Sequence, residues 1–295
     1  MIIKKVFLSL NVIIIIFAIT SCTQKSDDIA YKVKYSYFLD HESTTANENE
    51  NVKKFKFDKK EWEEKIILNE ETEYGSDDGN IWEVSLKDNK IMISSIQKQI
   101  SEVNPSQQYG ANLLKFDVDD GYFVSKNDED YGGLGGILDF VGNDGVSYTI
   151  SKHLNTLIIF SINDDIFLLE GMSYRSHDRG YLYKLSNFDG KWEIKGLINE
   201  VSLGGYPYQY MIDKSDIYII VYERMHDNYI RATNTSTIIK ISTSSGDMKM
   251  KEIVKTVFMP TSSMAKKDNT LYIGLAGSIA EVNLSNNEIK FYVKK

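Results

Sequence analysis

Cysteine, proline, long apolar runs and surplus positive charge are all scarce in this chain of 295 residues, and each scarcity closes off a class of proteins. With a single cysteine, Cys22, there is no intrachain disulfide and no multi-cysteine zinc site, so stability rests on packing. Lys and Arg number 34 against 42 Asp and Glu, for a net charge of −8. An acidic chain is a poor partner for nucleic acid or anionic head groups. The longest apolar run, Val6–Ile19, is interrupted by Ser9 and Asn11 and falls short of the roughly twenty residues that a membrane-spanning helix needs. No segment keeps a 3.6-residue apolar period over three turns. What is present is 42% hydrophobic residues, enough for a substantial core, with 19 tyrosines and only 3 prolines. Tyr, Ile and Val in polar alternation point to strands.

Lys4 and Lys5 precede Val6–Ala18, and Ile19-Thr20-Ser21-Cys22 follows. A basic start, a short apolar core and a small-residue cleavage site form a secretory signal peptide. Ending in cysteine, the site resembles the lipobox of bacterial lipoproteins. That resemblance implies removal of residues 1–21, acylation of Cys22 and attachment to a lipid bilayer. Thr23 in place of Asp implies the outer membrane, facing the periplasm. Loss of Lys4 and Lys5 leaves the mature chain more acidic still. With Cys22 acylated no cysteine nucleophile remains. Residues 22–29 are expected to be a lipidated cysteine and polar tether, and 30–295 a single domain.

Short alternating runs separated by turn residues fill that domain. A motif of apolar, charged, apolar, then Asp, Ser or Asn occurs five times, starting at Phe55, Leu114, Tyr183, Ile239 and Ala280. Gly121, Gly190 and Gly246, and Asn287 in the last copy, stand where a tight turn would follow. The strands predicted after those turns are Tyr122–Ser125, Glu193–Leu197, Lys249–Val257 and Ile289–Val293. A second motif enters apolar strands from polar turns at Asp88, Asp165, Asp216 and Asn269. Pro207 and Pro260 mark further strand starts, each four residues ahead of Met211 and Met264. Four antiparallel strands recurring every forty to fifty-odd residues resemble the blades of a β-propeller, five to six in number. The alternative with the same strand signals is a β-sandwich. Ile137–Ile150, turning at Gly142–Gly145, reads as an added hairpin, either an insertion or the remnant of a sixth blade. Tyr31–Leu39 is expected to close the ring beside the last strand.

In such a fold the loops between second and third strands gather on one face: His41–Asn51, Gln97–Ala111, Gly171–Gly180 and Arg224–Thr237. The inter-blade stretch Asn127–Gly136 joins them. They carry Tyr109, Tyr131, Tyr174, Tyr206, Tyr208 and Tyr229, with Arg175, Arg179, Arg224 and Arg231. Tyr and Arg dominate interface hot spots, so this face is expected to bind a protein partner. The competing reading packs some of these tyrosines between blades. His177-Asp178 and His226-Asp227 recur in what read as equivalent loops, but two pairs are too few for a built metal site, and no metal or other cofactor is expected. Asp117–Gly121 misses the calcium-loop spacing, and Asp128–Asp130 reads as a solvated charge run. Gly132–Gly136 lacks the Lys-Ser or Lys-Thr of a phosphate cradle. Ser186–Trp192 only superficially resembles the Asp-box of sialidases, and no serine sits in a nucleophile elbow. The expected function is a non-catalytic, lipid-tethered binding protein, of immunity type or associated with the envelope. Its rival is a glycan-binding or glycan-processing propeller drawing an acid/base pair from Asp119, Asp130, Asp178 and Asp227.

Overall fold

A computed structural model describes residues 32–38, 54–65, 80–97, 113–127, 135–174, 177–194, 200–227, 231–243, 248–256 and 260–295. They form an all-β unit of five antiparallel sheets. The signal segment, Cys22 and the tether lie outside the described residues. Sheet I joins Asn80–Lys87, Lys90–Gln97 and Phe55–Lys56. Sheet II runs Tyr37–Phe38, Leu113–Val118, Gly121–Asn127, Gly136–Gly142, Ser147–Ser151. Sheet III runs Val33–Tyr35, Thr156–Ile162, Asp165–Tyr174, His177–Phe188, Lys191–Ile194, and Glu200–Ser202 also pairs with its fourth strand. Sheet IV is Tyr206–Asp213, Asp216–Asp227, Arg231–Ser242, Lys249–Thr256. Sheet V is Pro260–Lys267, Thr270–Leu275, Ile279–Asn283, Glu288–Lys294, with Trp62–Lys65 added at its edge.

The hairpins form where Asp, Asn and one Lys accept positive φ. Asp88 and Asn89 stand at 48° and 56°, Asn163 at 56°, Lys214 at 58° and Asp268 at 52°. Two-residue turns of this kind match the twist of the flanking strands. Gly190 (φ 79°) and Asn287 (φ 60°) fill the turn role expected of them. Gly121 has a different reason to be glycine. A Cβ there would collide with the Val141 carbonyl and meet the Phe140 ring at 2.8 Å, so the requirement is space. Gly246 lies outside the described residues.

Inner strands are apolar without alternation because both their faces are covered. Leu271, Ile273 and Leu275 point to sheet IV and pack with Tyr218, Ile220 and Ile238. Between them Tyr272 points the other way, against the sheet I cluster of Phe57, Trp82, Val84 and Ile93. Ile159, Ile166, Leu168 and Leu185 of sheet III pack on Phe116, Phe123, Leu138 and Phe140 of sheet II. Their alternates Phe160, Phe167 and Leu169 are just as buried, and the two phenyl rings stack at 5.5 Å. Each such side chain contributes about 1.5–3 kcal/mol by leaving water.

The sheets therefore pack II on III, III on IV, IV on V, and V on I. Their tight-turn ends coincide. Asp120 in the first turn of sheet II accepts from Trp192 Nε1 (3.0 Å) and Asn187 Nδ2 (3.1 Å), which flank the Asp189-Gly190 turn of sheet III. Lys266 beside the sheet V turn donates to Asp213 beside the sheet IV turn at 2.6 Å. At the other end Ile81 of sheet I bridges Ala276 of sheet V.

Four sequence expectations need correction. Ile137–Ile150 is neither insertion nor remnant: Gly136–Gly142 and Ser147–Ser151 are the third and fourth strands that follow Leu113–Val118 and Gly121–Asn127 in sheet II. Leu114–Asp117 is accordingly in the first strand of a hairpin series, not the third, because a charged residue between apolar neighbours suits any half-exposed strand. Asn127–Gly136 thus spans second to third strand, and Gln97–Ala111 joins sheet I to sheet II. Finally, the N-terminal segment does not pair beside the last strand. Val33–Tyr35 pairs with Phe160–Ile162, and Tyr37-Phe38 with Leu114-Lys115. The last strand instead pairs with Trp62–Lys65, whose Trp62 is buried against Trp82 at 5.0 Å.

Candidate functional site

The stretches Gly171–Gly180 and Arg224–Thr237, expected as loops, are ladders. Pairing continues through Gly171↔Gly180 and Met172↔Arg179 to Tyr174↔His177, and through Arg224↔Asn234 to Asp227↔Arg231. Polar side chains did not end these strands because their partners are equally strand-like. In sheet IV the first strand stops at Tyr206↔Tyr222 and the fourth at Thr256↔Ser236. From Glu223 to Asp227 and back from Arg231 to Thr235 the hairpin therefore stands as a two-stranded arm beyond its sheet. Both arms rise at the end opposite the tight turns.

Gly171 and Gly180, directly opposed, make a notch for the Pro207 ring of sheet IV. A Cβ at Gly180 would lie 2.5 Å from Pro207 Cδ, and one at Gly171 would lie 2.9 Å from it. Asn155 Nδ2 donates to the Gly171 carbonyl at 2.7 Å. The sheet III arm is thereby wedged against sheet IV at its root.

Below that notch sits Glu170, a carboxylate ending the run Ile166-Phe167-Leu168-Leu169 and 1% exposed. Arg179 Nη2 donates to Oε1 at 3.2 Å and the Tyr183 hydroxyl to Oε2 at 3.0 Å. Burial pushes the Glu170 carboxyl above its ordinary value, opposed by Arg179, Tyr183 and a backbone bond at Asn155. Arg179 remains 39% exposed on its side chain, and its Nε has no hydrogen-bond partner among the described residues. A carboxylate closing an apolar run is the sequence signal for this cluster.

The other expected site residues divide. Tyr206 is 2% exposed, so its ring is packing and not contact surface. Tyr208 is half-buried, and burial raises its phenol. Asp178 is half-buried opposite Ser173. Tyr174, His177, Arg224, His226, Asp227 and Arg231 have their backbones on the two arms. Tyr109, Tyr131, Arg175, Tyr229 and the runs Asp128–Asp130 and Gly132–Leu134 lie outside the described residues. His177-Asp178 follows its hairpin tip whereas His226-Asp227 precedes its own, so the two pairs are not equivalent. Asp119 belongs to a tight turn and Asp178 to an arm, at opposite ends of the sheets, which removes that pairing from any acid/base scheme. Among the described residues no three His, Cys, Asp or Glu side chains come together as metal ligands.

No protein family matches the chain, and neither a curated protein nor a solved structure is similar to it.

Proposed function

We propose that this chain is an exported lipoprotein, anchored by acylated Cys22 in the outer membrane facing the periplasm. Its body is a five-bladed β-propeller that binds a protein partner through the end bearing the arms, without catalysis. The ring reading is supported by the packing of the first sheet on the last. A linear stack in sequence order would hold those two apart, whereas a circular arrangement places them side by side and would be completed by a seam between sheets I and II. The binding reading rests on one observation, the unequal ends. One carries two-residue turns, and the other carries the Gly171–Gly180 and Glu223–Thr235 arms. Projections from one end of a rigid scaffold are where recognition residues concentrate. The partner is a protein because the arms carry Tyr, Arg and His and the only buried carboxylate described is already paired with Arg179 and Tyr183.

The experiment is photocrosslinking in intact cells, with the probe placed in the full-length protein at His177 or Asp227, or at the tight turns at Asp119 or Asp164. One discrete adduct from the arm positions and none from the turn positions is the expected result. Adducts from the turns alone, or no adduct from any position under several growth states, would defeat the reading.

A further inference from the structure

We infer that the body rides on the membrane with its tight-turn end toward the lipid surface and its two arms pointing away. This rests on the lipid-anchor reading of Cys22 and adds the direction in which the anchored body faces. The argument starts at Lys32. Its N–H donates to Asn163 Oδ1 at 3.2 Å, and its carbonyl accepts from Asn163 N at 2.8 Å. Asn163 is in the Asn163-Asp164 turn, so the chain enters the described unit at the tight-turn end. From there Val33–Tyr35 runs along Ile162 to Phe160 and Tyr37-Phe38 along Lys115 to Leu114, both toward the arm end. The entry point is thus stitched to two sheets and cannot swing to the other end.

The length of the intervening chain then decides the orientation. Nine residues lie between Cys22 and Lys32, a span of ten Cα–Cα steps. Ten such steps fully extended reach about 35 Å, and the root-mean-square span of a random chain of that length is about 18 Å. The Asp216–Asp227 strand alone, at about 3.3 Å per residue, is roughly 36 Å from turn to arm tip. Of the two upright orientations, arm-down needs the tether drawn nearly straight along the body, whereas turn-down is reached well within its length. Adhesion does not compete with this leash. The turn end mixes Asp88, Asp119, Asp120, Asp164, Asp189 and Asp268 with Lys214 and the flanking Lys87, Lys90, Lys191, Lys266 and Lys267, so surface charge neither draws it to the head groups nor drives it off strongly.

The test exploits the single native cysteine, which acylation would consume. Asp119→Cys, Asp164→Cys, His177→Cys and Asp227→Cys, each in the full acylated chain, take one fluorophore apiece. The proteins are reconstituted in phosphatidylethanolamine–phosphatidylglycerol vesicles carrying nitroxide-labelled head groups. Quenching at Asp119 and Asp164 is expected to exceed that at His177 and Asp227 at least twofold, and to be unchanged between low and high salt. Insertion of twenty Gly/Ser residues after Asp28 should erase the difference. Anchored protein with equal quenching at both ends, or stronger quenching at the arms, would overturn the orientation alone. Vesicle binding that survives Cys22→Ser would overturn the anchor and the orientation together.

Discussion

Ser36 meets Ile159 twice: its N–H donates to the Ile159 carbonyl at 2.7 Å, and its hydroxyl oxygen accepts from the Ile159 N–H at 3.0 Å. Here the N-terminal segment leaves sheet III for sheet II, and the side chain completes a ladder that the departing backbone no longer can. Ile159 is fully buried, so Ser36→Ala leaves its N–H without an acceptor. The expected cost is about 1–3 kcal/mol, read as a lower denaturation midpoint with the slope unchanged. A wild-type midpoint would mean that the hydroxyl adds nothing to the ladder.

Glu170 supplies a pH dependence of determinate sign. Burial raises its carboxyl above the unfolded value, despite Arg179 and Tyr183. The folded state therefore binds the proton more tightly than the unfolded state. Its contribution is fully present below the ordinary carboxylate value and is lost as pH rises through the folded value. Comparing wild type with Glu170→Gln across the mildly acidic range should show wild type gaining relative stability as pH falls. The opposite slope would mean that the Arg179 pair, and not burial, controls the group. Arg179→Met, which leaves the buried carboxylate with Tyr183 alone among its side-chain partners, should cost about 1–3 kcal/mol at neutral pH, because the half-exposed guanidinium is partly screened by solvent.

Gly274 marks the junction of sheets V and I. An added Cβ would collide with the Trp82 carbonyl and stand 2.5 Å from Ser263 Oγ, the group that accepts from Val84 N–H at 2.9 Å. Gly274→Ala should therefore cost about 1–3 kcal/mol as overpacking. Ser263→Ala in the same background should recover none of it, since the carbonyl stays in place. Thermal unfolding of both variants checks the assignment.

Cys22→Ser in the full chain should abolish membrane retention, leaving a soluble or uncleaved product. Fractionation of cells expressing the variant reads this directly. Normal processing with unchanged retention would count against acylation.

Strand content was legible from the sequence because turn and strand chemistry are local. Asp88-Asn89, Asn163-Asp164 and Asp268-Asn269 announce hairpins, and the apolar runs after Asp165 and Asp216 announce strands covered on both sides. Sheet membership was not. Leu113–Val118 and His177–Phe188 carry the same short motif yet occupy first and third places in their hairpin series, because neighbours far along the chain decide rank. The arms were missed for a related reason: ladder pairing between two polar strands leaves no apolar alternation to read. Glu170 was legible as an anomaly in an apolar run, but its partners Arg179 and Tyr183 are brought to it only by strand register.

The pairing of Trp62–Lys65 with the final strand has a consequence for how the molecule matures. Trp62–Lys65 emerges long before the strand it caps, with sheet IV and nearly all of sheets II and III between them in the chain. A closure between residues so far apart in sequence is slow. Until Glu288–Lys294 docks on Trp62–Lys65, its outer edge offers unpaired backbone groups to any passing strand. The edge is thus guarded by a segment made well ahead of it.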